Sequence, residues 1–174
     1  MMAPLFYPLR LSFSLSGAFS SSPMDAIIIV DLQKAFPIPE ELIRKIEERA
    51  KTFPRRVFTK FVNDTETLFY RKLKRTSCMR GLPETELVIE TGAEDIVIEK
   101  RGYGLDADAI ERLKAAGIKK ALVCGVDTDA CVLGVVFSAF DAGIDCEVER
   151  DLCWSSTGLQ EPALKIVREQ FGTG

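Results

Sequence analysis

The chain has 174 residues, 47% of them hydrophobic, and 26 acidic against 23 basic side chains give a net charge of −3. That describes one ordinary globular domain with a substantial core, and it provides no field directed at nucleic acid or an anionic membrane. Histidine is absent, which excludes a Ser-His-Asp triad, a Cys-His dyad and every histidine-liganded metal site, so acid–base chemistry falls to Asp, Glu, Lys, Tyr or Cys.

Residues 1–23 differ from everything after them: one Arg, no acid, and serines at 12, 14, 16, 20, 21 and 22. They read either as a targeting segment without a charged start or as an over-extended reading frame ahead of Met24, and in both cases as a poorly ordered extension. The domain is expected over 24–174. No run approaches the roughly 20 apolar residues of a membrane-spanning helix.

From Met24 the pattern is regular. The β-branched run 26–30 predicts a strand buried on both faces, ending at Asp31. Pro37 and Pro39 mark a loop, and 40–51 reads as a helix with Leu42, Ile43 and Ile46 inward. A second strand is expected over 56–62. The stretch 63–86 has poor periodicity and a basic run at 71–75 among aromatics; it reads as a long excursion carrying a short helix near 65–74. A third strand over 96–99 ends at Lys100, and an amphipathic helix over 106–116 is closed by Gly117.

Residues 121–143 carry the most chemistry. The apolar run 121–124 predicts a short strand that Gly125 breaks. Asp127, Thr128 and Asp129 are good helix starters, and Cys131 falls in the turn after them, with Val132, Val135, Val136, Ala139 and Phe140 at helical spacing. The N–H groups and dipole of a helix start push a thiol toward thiolate; the competing reading is a structural buried cysteine. A strand over 144–149 and a helix over 162–171 complete the chain. The five cysteines (78, 124, 131, 146, 153) form no C-x-x-C pair, so a reducing, cytoplasmic setting fits better than a disulfide framework.

Alternating strands and helices predict an α/β fold, three layers with a mainly parallel sheet of five or six strands and helices on both faces. In such sheets ligands bind at the carboxyl ends of the strands. Asp31, Lys100 and Cys131 all stand there and converge if their strands are neighbours. Cys131 then serves as nucleophile, Asp31 as the base that takes the thiol proton and returns it to a leaving nitrogen, and Lys100 as the cation that steadies both. Backbone N–H groups in the turn before Cys131 receive the oxyanion. Phe36, Phe61, Tyr70, Tyr103 and Trp154 are either an aromatic wall around such a site or core.

These residues carry a resemblance. The segment 24–171 resembles the isochorismatase-like cysteine hydrolases, which include nicotinamidases, N-carbamoylsarcosine amidases and ureidoacrylate amidohydrolases. The matching motifs are IIIVDLQKAF with Asp31, Gln33 and Phe36, IVIEKRGYG with Lys100, and CGVDTDACV with Cys131. The resemblance implies the triad Asp31–Lys100–Cys131 and a cis peptide between Val126 and Asp127. It also implies an oxyanion hole from the N–H groups of Asp127 and Cys131. Phe36, and Tyr103 in a shortened loop, are implied as substrate contacts, and a homo-oligomer (dimer or tetramer) as the assembly. No cofactor and no metal is implied, because the Asp and two His that hold a metal in nicotinamidases have no counterpart in Phe61-Val62-Asn63-Asp64. The expected function is metal-independent hydrolysis of a C–N bond in a small amide, carbamoyl or ureido compound through a thioester on Cys131. The alternatives are a non-catalytic binding protein on the same fold, or another activity of the family such as nicotinamidase.

Overall fold

The computed structural model of the chain describes residues 24–172; the extension 1–23 and residues 173–174 lie outside them. Strand β1 (Ala26–Val30) is buried at all five positions. Its unbroken β-branched sequence suits the centre of a parallel sheet, where both faces are covered. The sheet has the order β3-β2-β1-β4-β5, with β2 at Arg56–Phe61, β3 at Ile96–Lys100, β4 at Lys120–Val126 and β5 at Asp145–Trp154. Every neighbouring pair is parallel. The helices are α1 (Glu40–Ala50), α2 (Leu68–Arg71), α3 (Ala107–Ala115), α4 (Leu133–Asp141) and α5 (Gln160–Phe171). Right-handed crossovers place α1 on one face and α3 and α4 on the other. The result is the expected three-layer α/β fold, with five strands among the described residues. None of the described helices is long and apolar enough to cross a membrane.

Four local differences from the sequence expectation shape the site. Strand β4 does not stop at Gly125 but runs one residue beyond it, to Val126. Gly125 has φ +117°, and a Cβ there would lie 2.2 Å from the Val30 carbonyl oxygen, so only glycine lets β4 pass so close to β1. The β4–β5 pairing shifts register between Val123 and Gly125, and β5 continues to Trp154 rather than ending near 149. Helix α2 is a single turn, Leu68–Arg71, capped by Thr67, and not the longer helix expected near 65–74. Helix α5 starts at Gln160, so Pro162 falls in its first turn, where a missing N–H costs nothing.

Candidate active site

Asp31 follows β1 at φ +50° and is fully buried. Its N–H donates to the Thr59 carbonyl at 3.2 Å and also lies 3.2 Å from Thr59 Oγ1. The Thr59 hydroxyl in turn donates to Asp31 Oδ1 at 2.6 Å. Strand β2 thus fixes both the backbone and one carboxylate oxygen. The other oxygen, Oδ2, lies 2.7 Å from Lys100 Nζ yet receives no aligned hydrogen bond among the described residues. The contact is a fully buried ion pair.

The strands carrying Asp31 and Lys100 are not neighbours. Lys100 ends β3, and β2 lies between it and β1. The lysine reaches across the end of β2, where its register partner is Phe61. The ammonium stands 5.5 Å from the Phe61 ring centroid and donates to the Gly102 carbonyl at 2.9 Å. Burial pushes the Lys100 ammonium toward neutrality, but the Asp31 carboxylate and the Cys131 sulfur oppose it, and the net shift is upward. Lys100 stays charged at neutral pH.

Cys131 lies in a π-helical turn, Thr128–Val132, with the α-helical part of the segment starting only at Leu133. The Val132 N–H closes this turn on the Asp127 carbonyl at 3.1 Å. The thiol interacts with both Asp31 and Lys100, so the three residues expected at the strand ends do meet. Its ionisation differs from the sequence expectation. Burial pushes the thiol well up and the Asp31 charge adds to this, with Lys100 only partly compensating. Desolvation beside a carboxylate outweighs the helix start, and the resting sulfur is a neutral thiol.

The Val126–Asp127 peptide is cis. Among the described residues the Asp127 N–H donates to no protein acceptor. The side chains of Asp127, Thr128 and Asp129, which read as helix starters, do not cap the helix that follows. They reach across to the turn after β5. Ser156 donates its N–H and its hydroxyl to the two Asp127 oxygens, each at 2.9 Å. Ser155 and Thr157 donate to the two Asp129 oxygens at 2.5 and 2.8 Å. Thr128 donates to Gln160 Oε1 at 2.6 Å. Sequence reasoning missed these four partners, since Ser-Ser-Thr after a strand signals only a turn.

The aromatic residues divide. Phe36 packs against a small cluster of Phe61, Phe69 and Cys78. Phe69 meets Phe61 edge-on at 4.7 Å and Tyr103 at 4.9 Å, so Phe61, Phe69 and Tyr103 form one wall leading away from Lys100. Tyr103 is held over the start of α4 because Gly134 offers no side chain: a Cβ there would lie 2.8 Å from the Tyr103 carbonyl carbon. Trp154 lies elsewhere, in a groove with Pro39, Lys45 and Gln160. Gln33, quoted above only as part of a motif, is fully buried. It donates to the carbonyls of Phe61 at 2.9 Å and Thr85 at 2.8 Å and accepts from the Phe61 N–H at 2.8 Å, which ties the excursion to the end of β1.

The position after β2 does not fit a metal ion. Asn63 gives its amide to the carbonyls of Arg75 and Ser77 at 2.9 and 3.2 Å, and its oxygen accepts from Thr67. Asp64 is paired with Arg101 at 2.7 Å. No group of three His, Cys, Asp or Glu side chains among the described residues is placed to hold a metal.

Fold and site together define a parallel α/β domain with a buried acid–lysine pair beside a cysteine. The family model of the isochorismatase domain matches residues 25–173, and the chain belongs to the isochorismatase family, a family of hydrolases. Among solved structures it is similar to the pyrazinamidase of Pyrococcus horikoshii, in complex with zinc, with 24% identity, 86% of this chain and 97% of that chain covered, and TM-score 0.77. The N-carbamoylsarcosine amidase of Thermoplasma acidophilum aligns with 21% identity over 87% of this chain and 94% of that one, at TM-score 0.74. The nicotinamidase of Bacillus subtilis aligns with 18% identity over 85% and 96%, at TM-score 0.73. At these identities the likeness is one of fold. No curated protein sequence matches the chain.

Proposed function

We propose that the chain is a metal-independent cysteine hydrolase that cleaves a C–N bond of a small amide, carbamoyl or ureido compound. The observation that carries this reading is the placement of Asp31: a fully buried carboxylate whose Oδ2 lies 2.7 Å from Lys100 Nζ, beside a thiol that burial and this carboxylate push toward its protonated form. As Cys131 Sγ attacks the carbonyl carbon, Oδ2 takes the thiol proton, so no free thiolate has to persist. The N–H groups of Asp127 and Cys131 receive the oxyanion, Asp127 with a donor otherwise unused. Collapse breaks the C–N bond, and Asp31 passes its proton to the leaving nitrogen. The thioester on Cys131 is then attacked by water. Asp31 takes a proton from that water, and the expelled sulfur regains it. Lys100, 2.7 Å from Asp31, balances the negative charge as it moves. Phe36 and Tyr103 contact the substrate from the aromatic wall. A cytoplasmic homo-oligomer is the setting, with Phe137 and Phe140, 41% and 48% exposed on α4, as the apolar face that association would cover.

The test is a screen of small amides, carbamoyl compounds and ureido acids for ammonia release, with nicotinamide included. The parent chain turns over at least one of them and is unaffected by EDTA. Cys131→Ala abolishes turnover with an unchanged circular dichroism spectrum; full activity in that variant refutes the proposal. A covalent acyl adduct on Cys131, seen by intact-mass measurement after rapid quenching, separates a hydrolase from a binding protein on the same fold.

A further inference from the structure

Three consecutive residues ahead of Cys131 send their side chains to one segment, the turn that joins β5 to α5 and the first residue of α5. We propose that this turn is a positioning element for the oxyanion-binding backbone, with Ser156 as its principal residue. The inference rests on the hydrolase reading above, because it assigns a role within that reaction.

The geometry is specific. The Asp127 carboxylate is held at both oxygens, by the Ser156 N–H and by the Ser156 hydroxyl, each at 2.9 Å. Holding the side chain at two points fixes the rotation of the residue about its own Cα. The main-chain N–H of the same residue, which has no protein acceptor among the described residues, is thereby fixed in direction. Thr128 is held by Gln160 at 2.6 Å, and Gln160 is itself anchored through Nε2 to the Cys153 carbonyl at 2.9 Å. Cys153 pairs with Gly125 in the sheet, so the lattice is referenced to β4 and β5 rather than to a free loop. Asp129 completes it, with Ser155 and Thr157 on its two oxygens.

Charge-assisted bonds of this kind are stronger and more directional than neutral ones, and four of them, with the neutral Thr128–Gln160 bond between, meet within three residues. An oxyanion donor contributes to rate only if it is oriented before charge develops. The turn contributes no hydrogen bond to Asp31, Lys100 or Cys131, so its residues act through Asp127–Asp129 and are positioning residues. The register shift that lengthens β5 to Trp154 has a function on this account. It brings Ser155 and Ser156 level with the nucleophile turn.

The experiment compares the parent chain with Ser156→Ala, which removes the hydroxyl bond to Asp127 and leaves the N–H bond. Loss of a whole oxyanion donor costs about 10²–10³ in kcat. Loosening one by removing half of its support is expected to lower kcat about tenfold, with KM within about twofold. Alkylation of Cys131 by iodoacetamide builds no oxyanion, so its rate constant stays at the parent value. Inhibition by the aldehyde corresponding to the amide substrate, which forms an alkoxide on Cys131, weakens in parallel with kcat. Ser156→Thr keeps a hydroxyl and restores most of the rate. Unchanged kcat in Ser156→Ala overturns the inference. So does a fall in kcat matched by equal falls in alkylation rate and melting temperature, since that marks general loosening. A parent chain inert toward every compound in the screen refutes the hydrolase reading and this inference with it, whereas an active parent with an unimpaired Ser156→Ala refutes the positioning role alone.

Discussion

Replacing Lys100 by Met tests the electrostatic core of the site. The ammonium and the Asp31 carboxylate are 1% and 0% exposed and 2.7 Å apart. At an effective dielectric near 20 their attraction is on the order of 6 kcal/mol, set against a desolvation penalty of several kcal/mol for each ion. The net worth of the pair is therefore small, but breaking it is not. Thr59 still holds Oδ1, while Oδ2 has no other donor among the described residues. A buried carboxylate without a counter-charge costs about 3–5 kcal/mol, which for a domain of this size lowers the melting temperature by about 10 °C. Urea unfolding at pH 7, followed by circular dichroism and by the single tryptophan, Trp154, measures it. The pH dependence has a definite sign. The folded-state Lys100 value is raised, so its contribution is complete below the ordinary lysine value of about 10.4 and lost as pH rises through the higher folded value. The deficit of Lys100→Met is thus constant from neutral pH to about 10 and narrows above that. Adding Asp31→Leu to Lys100→Met recovers most of the stability, because the stranded charge is gone, and both variants are inactive. A loss below about 1 kcal/mol in the single variant, the range of an exposed pair, would falsify the description of these ions as desolvated.

Other consequences are equally open to measurement. Asp31→Asn removes the base that takes the Cys131 proton on the proposed mechanism, so turnover disappears and alkylation at pH 8 becomes slower; alkylation at the parent rate contradicts that role. Gly125→Ala places a Cβ 2.2 Å from a β1 carbonyl at φ +117° and is expected to cost about 3 kcal/mol in chemical denaturation. Gly134→Ala pushes on the Tyr103 backbone at 2.8 Å and is expected to raise KM more than it lowers kcat in steady-state kinetics. Phe140→Glu, on the exposed face of α4, shifts the sedimentation coefficient toward the monomer if that face is covered in an assembly.

What was legible in the sequence follows from how local each signal is. The run 26–30 announces a buried central strand because five consecutive β-branched or small apolar residues suit a strand covered on both faces. Asp31 and Lys100 stand out because a charge directly after such a run marks a strand end. Their pairing across β2 does not, since strand order is a property of the whole sheet. Gly125 reads as a breaker because a glycine that ends a strand and one that lets a strand pass close to its neighbour look alike in sequence. Asp127, Thr128 and Asp129 match a helix start by composition, but the same residues bond equally well to a distant turn, and local pattern cannot choose between the two. Gln33 was legible only through its motif, since a buried glutamine serving three backbone groups is recognisable only once those groups have been brought together.

The protonation of Cys131 joins these threads. A cysteine at a helix start is ordinarily read as a thiolate, and a thiolate nucleophile needs a permanent cation or a helix dipole to hold it. Here the α-helix proper begins at Leu133, beyond the cysteine, and the nearest charge besides Lys100 is the anion Asp31. Burial and that anion favour the proton on sulfur, while Lys100 sets a positive charge against both groups. On the proposed mechanism the site stores its base in a carboxylate and its nucleophile as a thiol, and moves one proton between them as the carbonyl is attacked. Histidine would add little to such a design. Its usual task is to shuttle a proton near neutral pH, and in the proposed mechanism a carboxylate beside the thiol and paired with a buried lysine does this without an intermediary. What the arrangement requires instead is that the oxyanion donor be fixed in advance, because no mobile imidazolium is present to follow the charge. The hydrogen bonds from Ser156 to Asp127 would meet that requirement in the positioning role proposed for them.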